Sequence, residues 1–177
     1  MFVTIIVSLL AASLILLLVL KLTGKGLNRK FHIVLIEDNP IDILVLKKTF
    51  SNINANCSFS EFADAEKALV HLQNLKAVDS EQLPDIIITD LDLPRMNGHE
   101  LLVLLKKDET LKSIPVVMFT NSSSEMDVKR AYSLNVNSYI VKPLNLAIYK
   151  ETIRSFWNFW STSVRLPDHH AILKGAV

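Results

Sequence analysis

Residues 86–96 read IIITDLDLPRM. Apolar or β-branched residues stand in unbroken succession, without polar ones between them, which suits a parallel strand covered on both faces. The run then delivers two aspartates, Asp90 and Asp92, into a loop. A buried strand that ends on a carboxylate raises the question of what the carboxylate is for.

The same grammar repeats on either side. FHIVLIEDNP (31–40) opens with an apolar run that predicts a buried strand ending near Ile36, and Asn39-Pro40 is a helix entry, with a capping Asn and Pro at the first helical position. Helical spacing continues through IDILVLKKTF (41–50). CSFSEF (57–62) reads as a second strand, and Asp64 can cap AEKALVHLQNLKA (65–77), whose Ala65, Leu69 and Leu72 share a face. HELLVLLKKDE (99–109) is a helix, PVVMFT (115–120) a fourth strand, and Ser122 with Glu125 forms a capping-box pattern for EMDVKRAYSL (125–134). SYIVKP (138–143) is a fifth strand stopped by Pro143, and LAIYKETIRSFWNFW (146–160) the closing helix. Five strands alternating with five helices imply a parallel sheet with helices on both faces.

In such a sheet ligands gather beyond the carboxyl ends of the strands, where strand order reverses. Strand one ends at Glu37 and Asp38, strand three at Asp90, strand four at Thr120 and strand five at Lys142. Any one of these alone could be a helix cap; five at four strand ends cannot all be. Carboxylates held close together repel, and a hard divalent cation such as Mg²⁺ relieves them while keeping room for phosphate oxygens. A lysine and a hydroxyl complete the equipment for stabilising a transferring phosphoryl group, with a carboxylate as acceptor.

Glu37-Asp38, Asp90, Thr120 and Lys142-Pro143, in that order, resemble the receiver domain of two-component response regulators over residues 31–165. The resemblance implies a flavodoxin-like (βα)5 α/β fold with strand order 2-1-3-4-5. It implies that Asp90 accepts a phosphoryl group from a phosphohistidine on a sensor histidine kinase. Asp38 and Asp90 would hold Mg²⁺ directly, Glu37 through water, and Asp92 through its backbone carbonyl only. Thr120 and Lys142 would bind the acyl-phosphate oxygens, and Tyr139 would reorient as Thr120 moves. The Lys142–Pro143 bond matches one that is cis in that family. Position 121, usually small there, is Asn, which implies a partly shielded pocket and slower exchange of the phosphoryl group with water.

Two other readings use the same letters. D-x-D in TDLDLP (89–94) also resembles the opening motif of haloacid-dehalogenase-type phosphatases, but these need an acidic pair at a later strand end. After Lys142 only Glu151 and Asp168 remain, neither following a strand. A receiver-shaped interaction module without phosphotransfer is the third, disfavoured because all five positions are intact.

The bulk numbers fit a signalling domain. Four basic residues, Lys21, Lys25, Arg29 and Lys30, are the only charges among the first thirty; without them 15 basic face 18 acidic residues, a formal −3. No basic face broad enough for nucleic acid is expected. The single cysteine, Cys57, excludes an internal disulfide and a Cys-based metal site. Residues 2–20 carry no charge and four basic residues follow, so residues 1–21 are expected to anchor the chain in the membrane, with residues 22–30 a basic linker and the body at the cytoplasmic face of the inner membrane. The alternative is a start assigned too far upstream and a soluble cytoplasmic protein beginning near Lys30. With 35 residues after Lys142 no effector domain is expected, only a tail over 166–177. Output must then come from partner binding, dimerisation or phosphate relay. Phe156, Trp157, Phe159 and Trp160 span an arc of about 160° on the last helix. They either stay partly open as a dimer interface or wrap helix one and strand five. FWNFWSTSVRLP (156–167) resembles the C-terminal extension of receivers paired with phytochrome kinases, which favours the interface.

Overall fold

The computed structural model describes residues 30–78 and 82–167. Its five strands are β1 (Phe31–Ile36), β2 (Cys57–Phe62), β3 (Ile86–Thr89), β4 (Val116–Thr120) and β5 (Ser138–Val141). The helices between and after them are α1 (Pro40–Asn52), α2 (Ala65–Val78), α3 (Gly98–Lys107), α4 (Glu125–Ser133) and α5 (Leu146–Asn158). The strands form one parallel sheet in the order β2-β1-β3-β4-β5. This is the flavodoxin-like α/β arrangement, and its order reverses between β1 and β3.

Alternation along the strands sorts the core into two faces. Val34, Ile36, Ile87, Val116 and Met118 turn toward α2, α3 and α4, meeting Ala65, Ala68, Leu72, Leu101, Leu102, Leu105 and Ala131. Ile33, Leu35, Ile86, Ile88, Val117 and Phe119 turn toward α1 and α5, meeting Leu46, Phe50, Tyr149, Ile153, Phe156 and Trp160. Ile86, Ile87 and Ile88 therefore bury on alternate sides of one strand, which explains the unbroken run: each is worth about 1.5–3 kcal/mol of transfer free energy.

Caps fix where the helices begin. Asn39 Oδ1 accepts from Ile41 N–H at 3.0 Å, Asp64 Oδ1 from Lys67 N–H at 2.8 Å, and Asn145 Oδ1 from Ala147 N–H at 2.8 Å. The cap of α4 differs from expectation. Ser124, not Ser122, accepts from Asp127 N–H, while Ser122 Oγ donates to Asp127 Oδ2 at 2.6 Å. The last helix also departs from a simple wheel, passing at Phe159–Ser163 into a π-helical turn. Trp160, four residues after Phe156, packs back against it, and Phe159 is 54% exposed. Trp157 packs edge-on against Phe31 and Phe50, so three of the four aromatics cover the sheet and helix α1.

Two expectations are corrected. Every peptide bond among the described residues is trans, Lys142–Pro143 included, either isomer being accessible because proline removes most of the trans preference. The placement at the cytoplasmic face of the inner membrane is withdrawn. Among the described residues no helix is long and apolar enough to cross a bilayer. The expected anchor (1–21), the linker through residue 29 and the tail from residue 168 lie outside the described residues.

Candidate functional site: an acidic cluster around a buried lysine

β1 and β3 end side by side at the point where strand order reverses, and β4 and β5 end next to them. Asp90 N–H donates to the carbonyl of Ile36 at 2.9 Å, and Lys142 N–H to that of Thr120 at 2.7 Å, so the ladder itself aligns the four strand ends. Glu37, Asp90, Thr120 and Lys142 are all buried.

Lys142 lies at the centre. Its Nζ donates to Glu37 Oε2 at 2.6 Å, Asp42 Oδ2 at 2.7 Å and Asp90 Oδ2 at 2.8 Å, using all three protons. Burial alone would push the ammonium down, but these pairings outweigh it and hold its pKa above the usual lysine range. Asp90 Oδ1 accepts from its neighbour Leu91 N–H at 2.5 Å, with Asp92 N–H at 3.4 Å. Burial pushes the Asp90 carboxyl up, and hydrogen bonds from Lys142 and Thr120 overcome this and bring it below the usual carboxylate range. Glu37 goes the other way. Its burial outweighs Lys142, and its pKa is pushed up to about 7. The two inner carboxylates thus respond oppositely to one ammonium, Asp90 being held ionised and Glu37 pushed toward its neutral form.

The loop after Asp90 is held from three directions. Gly98 N–H donates to the carbonyl of Leu91 at 2.9 Å, and Asn97 and Glu100 cap α3 reciprocally. Arg95, at φ 66°, pairs with Asp64 at 3.1 Å and Glu66 at 3.4 Å on the entry to α2. On the other side, Tyr139 OH donates to the carbonyl of Ser122 at 3.0 Å, Ser122 N–H approaches Thr120 Oγ1 at 3.3 Å, and buried His99 donates through Nε2 to the carbonyl of Asp127 at 3.1 Å. Tyr139 is thereby tied to the loop that follows Thr120, and burial raises its phenol pKa.

The sequence-predicted residues distribute as follows. Glu37, Asp90, Thr120 and Lys142 come together, with Tyr139 one hydrogen bond from the loop of Thr120. Asp38 and Asp92 are exposed beside the cluster, outside the three carboxylates whose oxygens lie within 4.8 Å of one another. The third member of that set is Asp42, which sequence reasoning missed. Asn121 is exposed at the rim, next to Thr120. The donor set, hard oxygens at converging strand ends, fits a hard divalent cation.

The family model described as the response regulator receiver domain matches residues 33–154. The chain belongs to the response regulator receiver family. Among curated relatives, the probable methanogenesis regulatory protein FilR2 of Methanothrix harundinacea is 37% identical over 136 residues, 75% of this chain and 87% of that protein. Response regulator Rcp1 of Synechocystis is 32% identical over 135 residues, covering 76% of this chain and 92% of that one. Among solved structures, the phosphorylated cyanobacterial phytochrome response regulator RcpA superposes with a TM-score of 0.72 at 33% identity, over 78% of this chain and 99% of that one. The Mn²⁺-bound form of Rcp1 gives 0.69 at 32% identity, over 77% and 98%. This receiver therefore resembles phytochrome-associated stand-alone response regulators in sequence and in fold. The phosphatase reading falls with this assignment: among the described residues β4 and β5 end on Thr120 and Val141, with no further acidic pair.

Proposed function

We propose that this receiver takes a phosphoryl group on Asp90 from the phosphohistidine of a sensor histidine kinase, of phytochrome type by its likeness to RcpA and Rcp1. The observation that carries the reading is the state of Asp90: buried at the end of β3, hydrogen-bonded at both oxygens and kept ionised among neighbouring carboxylates. A carboxylate oxygen attacks phosphorus, the phosphorus–nitrogen bond to the histidine breaks, and the imidazole leaves. Lys142 moves its charge onto the phosphoryl oxygens, and Thr120 supplies a hydroxyl to them. Glu37, Asp38, Asp90 and the backbone carbonyl of Asp92 are the groups that would hold Mg²⁺. When bound, the ion neutralises charge on the phosphoryl oxygens. The same constellation makes the receiver promote its own phosphorylation and, with water as nucleophile, its own dephosphorylation.

The hydrogen bond from Tyr139 to the Ser122 carbonyl joins β5 to the loop after Thr120, and is the route by which a shift of Thr120 would reach the surface around α4 and β5. Output follows by partner binding or by dimerisation through α5 and the π-helical turn after it, where Ile148 and Phe159 stay exposed.

The test is Asp90→Asn with acetyl phosphate and Mg²⁺. The parent protein should incorporate label and the variant should not. Equal incorporation would remove the assignment. A parent inert to both acetyl phosphate and beryllofluoride would favour the interaction module instead.

A further inference from the structure

Asp42 has no place in the constellation just proposed, yet it holds Lys142 as closely as Glu37 and Asp90 do. It sits in the first turn of α1, and its Oδ2 accepts from Lys142 Nζ at 2.7 Å. The three partners are not equivalent. The side chains of Glu37 and Asp90 are 5% and 8% exposed, whereas that of Asp42 is 27% exposed. The two inner carboxylates are also those that the proposed function commits elsewhere, Glu37 to the cation and Asp90 to the phosphoryl group. One ammonium cannot stay paired with carboxylates that a divalent cation is neutralising, because the two cations compete for the same oxygens and repel each other. Lys142 needs a partner to which it can step back without leaving the site.

We propose that Asp42 is a positioning residue for Lys142: it draws the ammonium toward α1, frees the oxygens of Glu37 and Asp90 for the divalent cation, and keeps the lysine within reach of the phosphoryl oxygens. This inference rests on the function proposed above and names how one of its members is held. Asp42 acts through Lys142, not on the cation.

That distinction is testable with Mg²⁺ alone, by isothermal titration of the full chain. Four proteins are compared: the parent, Asp42→Asn, Lys142→Met and the double variant. Lys142→Gln serves as a second background should the Met variant lose its native circular dichroism. Removing the competing ammonium should tighten Mg²⁺ binding. Asp42→Asn should weaken it in the parent, and weaken it less where Lys142 is gone. The two losses should differ by about five- to tenfold, in the range of coupling between members of one ion-pair network. Equal losses in both backgrounds would overturn the inference, since Asp42 would then be acting on the ion directly or through its field. No loss in the parent would overturn it too. A parent that binds no Mg²⁺ would remove the proposed function along with it, whereas Mg²⁺ binding with equal losses would remove the role of Asp42 alone.

Discussion

Substituting Gly98 by alanine adds one methyl group at the place where α3 meets the proposed phosphoacceptor. A Cβ built there would lie 2.5 Å from the carbonyl oxygen of Asp90, 3.0 Å from Leu91 Cα and 3.3 Å from the carbonyl carbon of Asp90. All three are backbone atoms, so no rotamer change relieves the overlap. Nor can the carbonyl swing aside freely, because Thr89 Oγ1 donates to it at 2.9 Å and Asp90 N–H is fixed to Ile36. Forcing a carbon into a filled space of this kind costs about 1–3 kcal/mol. The lower backbone entropy of alanine in the unfolded chain returns about 0.4–1 kcal/mol. A net loss of about 1–2 kcal/mol corresponds to a fall in Tm of about 2–8 °C for a domain of this size. The strain is relieved where it arises, by displacing α3 from β3 or by moving the Asp90 backbone. Acetyl phosphate labelling should therefore slow by more than the unfolded fraction explains, about tenfold if the carboxylate shifts by a few tenths of an ångström. Thermal unfolding by circular dichroism and the labelling time course read the two effects separately. A Gly98→Ala variant with an unchanged or raised Tm and a parental labelling rate would refute the reasoning, since the contact would then be too soft to matter.

Glu37→Gln tests the electrostatics of the cluster in Mg²⁺-free buffer. With a folded pKa raised to about 7, Glu37 holds its proton longer in the folded protein than in the unfolded chain, so the parent should lose stability as pH rises between about 4.5 and 7. The variant should lack that slope and gain about 1–3 kcal/mol at pH 8 in urea unfolding, at roughly 1.4 kcal/mol per pKa unit; parallel curves for the two proteins would exclude it. Phe159→Asp tests output: if α5 forms a dimer interface, sedimentation should show the parent associating with beryllofluoride and Mg²⁺ and the variant remaining a monomer. A parent monomeric in both conditions would end that idea.

How far the sequence could be read depends on the range of the forces involved. β2 was legible at its ends because Cys57–Phe62 alternates on an otherwise polar background, and β3 because three isoleucines cannot all be buried on one side of a sheet. Glu37, Asp90, Thr120 and Lys142 were legible because parallel topology brings carboxyl ends together whatever lies between them. Local choices among equivalent residues were not. SSSEMD (122–127) offers Ser122 with Glu125 and Ser124 with Asp127 as capping pairs; in the fold Ser124 caps, while Ser122 is held by Tyr139 at its carbonyl and by Asp127 at its hydroxyl. The aromatic arc was legible in part: on a 100° wheel Trp160 falls on the same face as Tyr149, Ile153 and Phe156 and is buried with them, whereas the π-helical turn at Phe159–Ser163 left no mark in the apolar pattern.

Asp42 is the informative miss. In sequence it is an acid in the first turn of a helix, a position favoured by the backbone dipole alone. What distinguishes it is a charge one hundred residues away. Helical side chains lean toward the N-terminus, so an acid in that first turn points back over the end of β1, where Glu37 already stands. The signal was therefore present as a third carboxylate within reach of one strand end, where Glu37 and Asp38 already supplied two. A lysine arriving from β5 with three donors needs three acceptors if it is to be buried without an unpaired proton. Counting donors at Lys142, and not acids at β1 and β3, is the step that would have named Asp42 in advance.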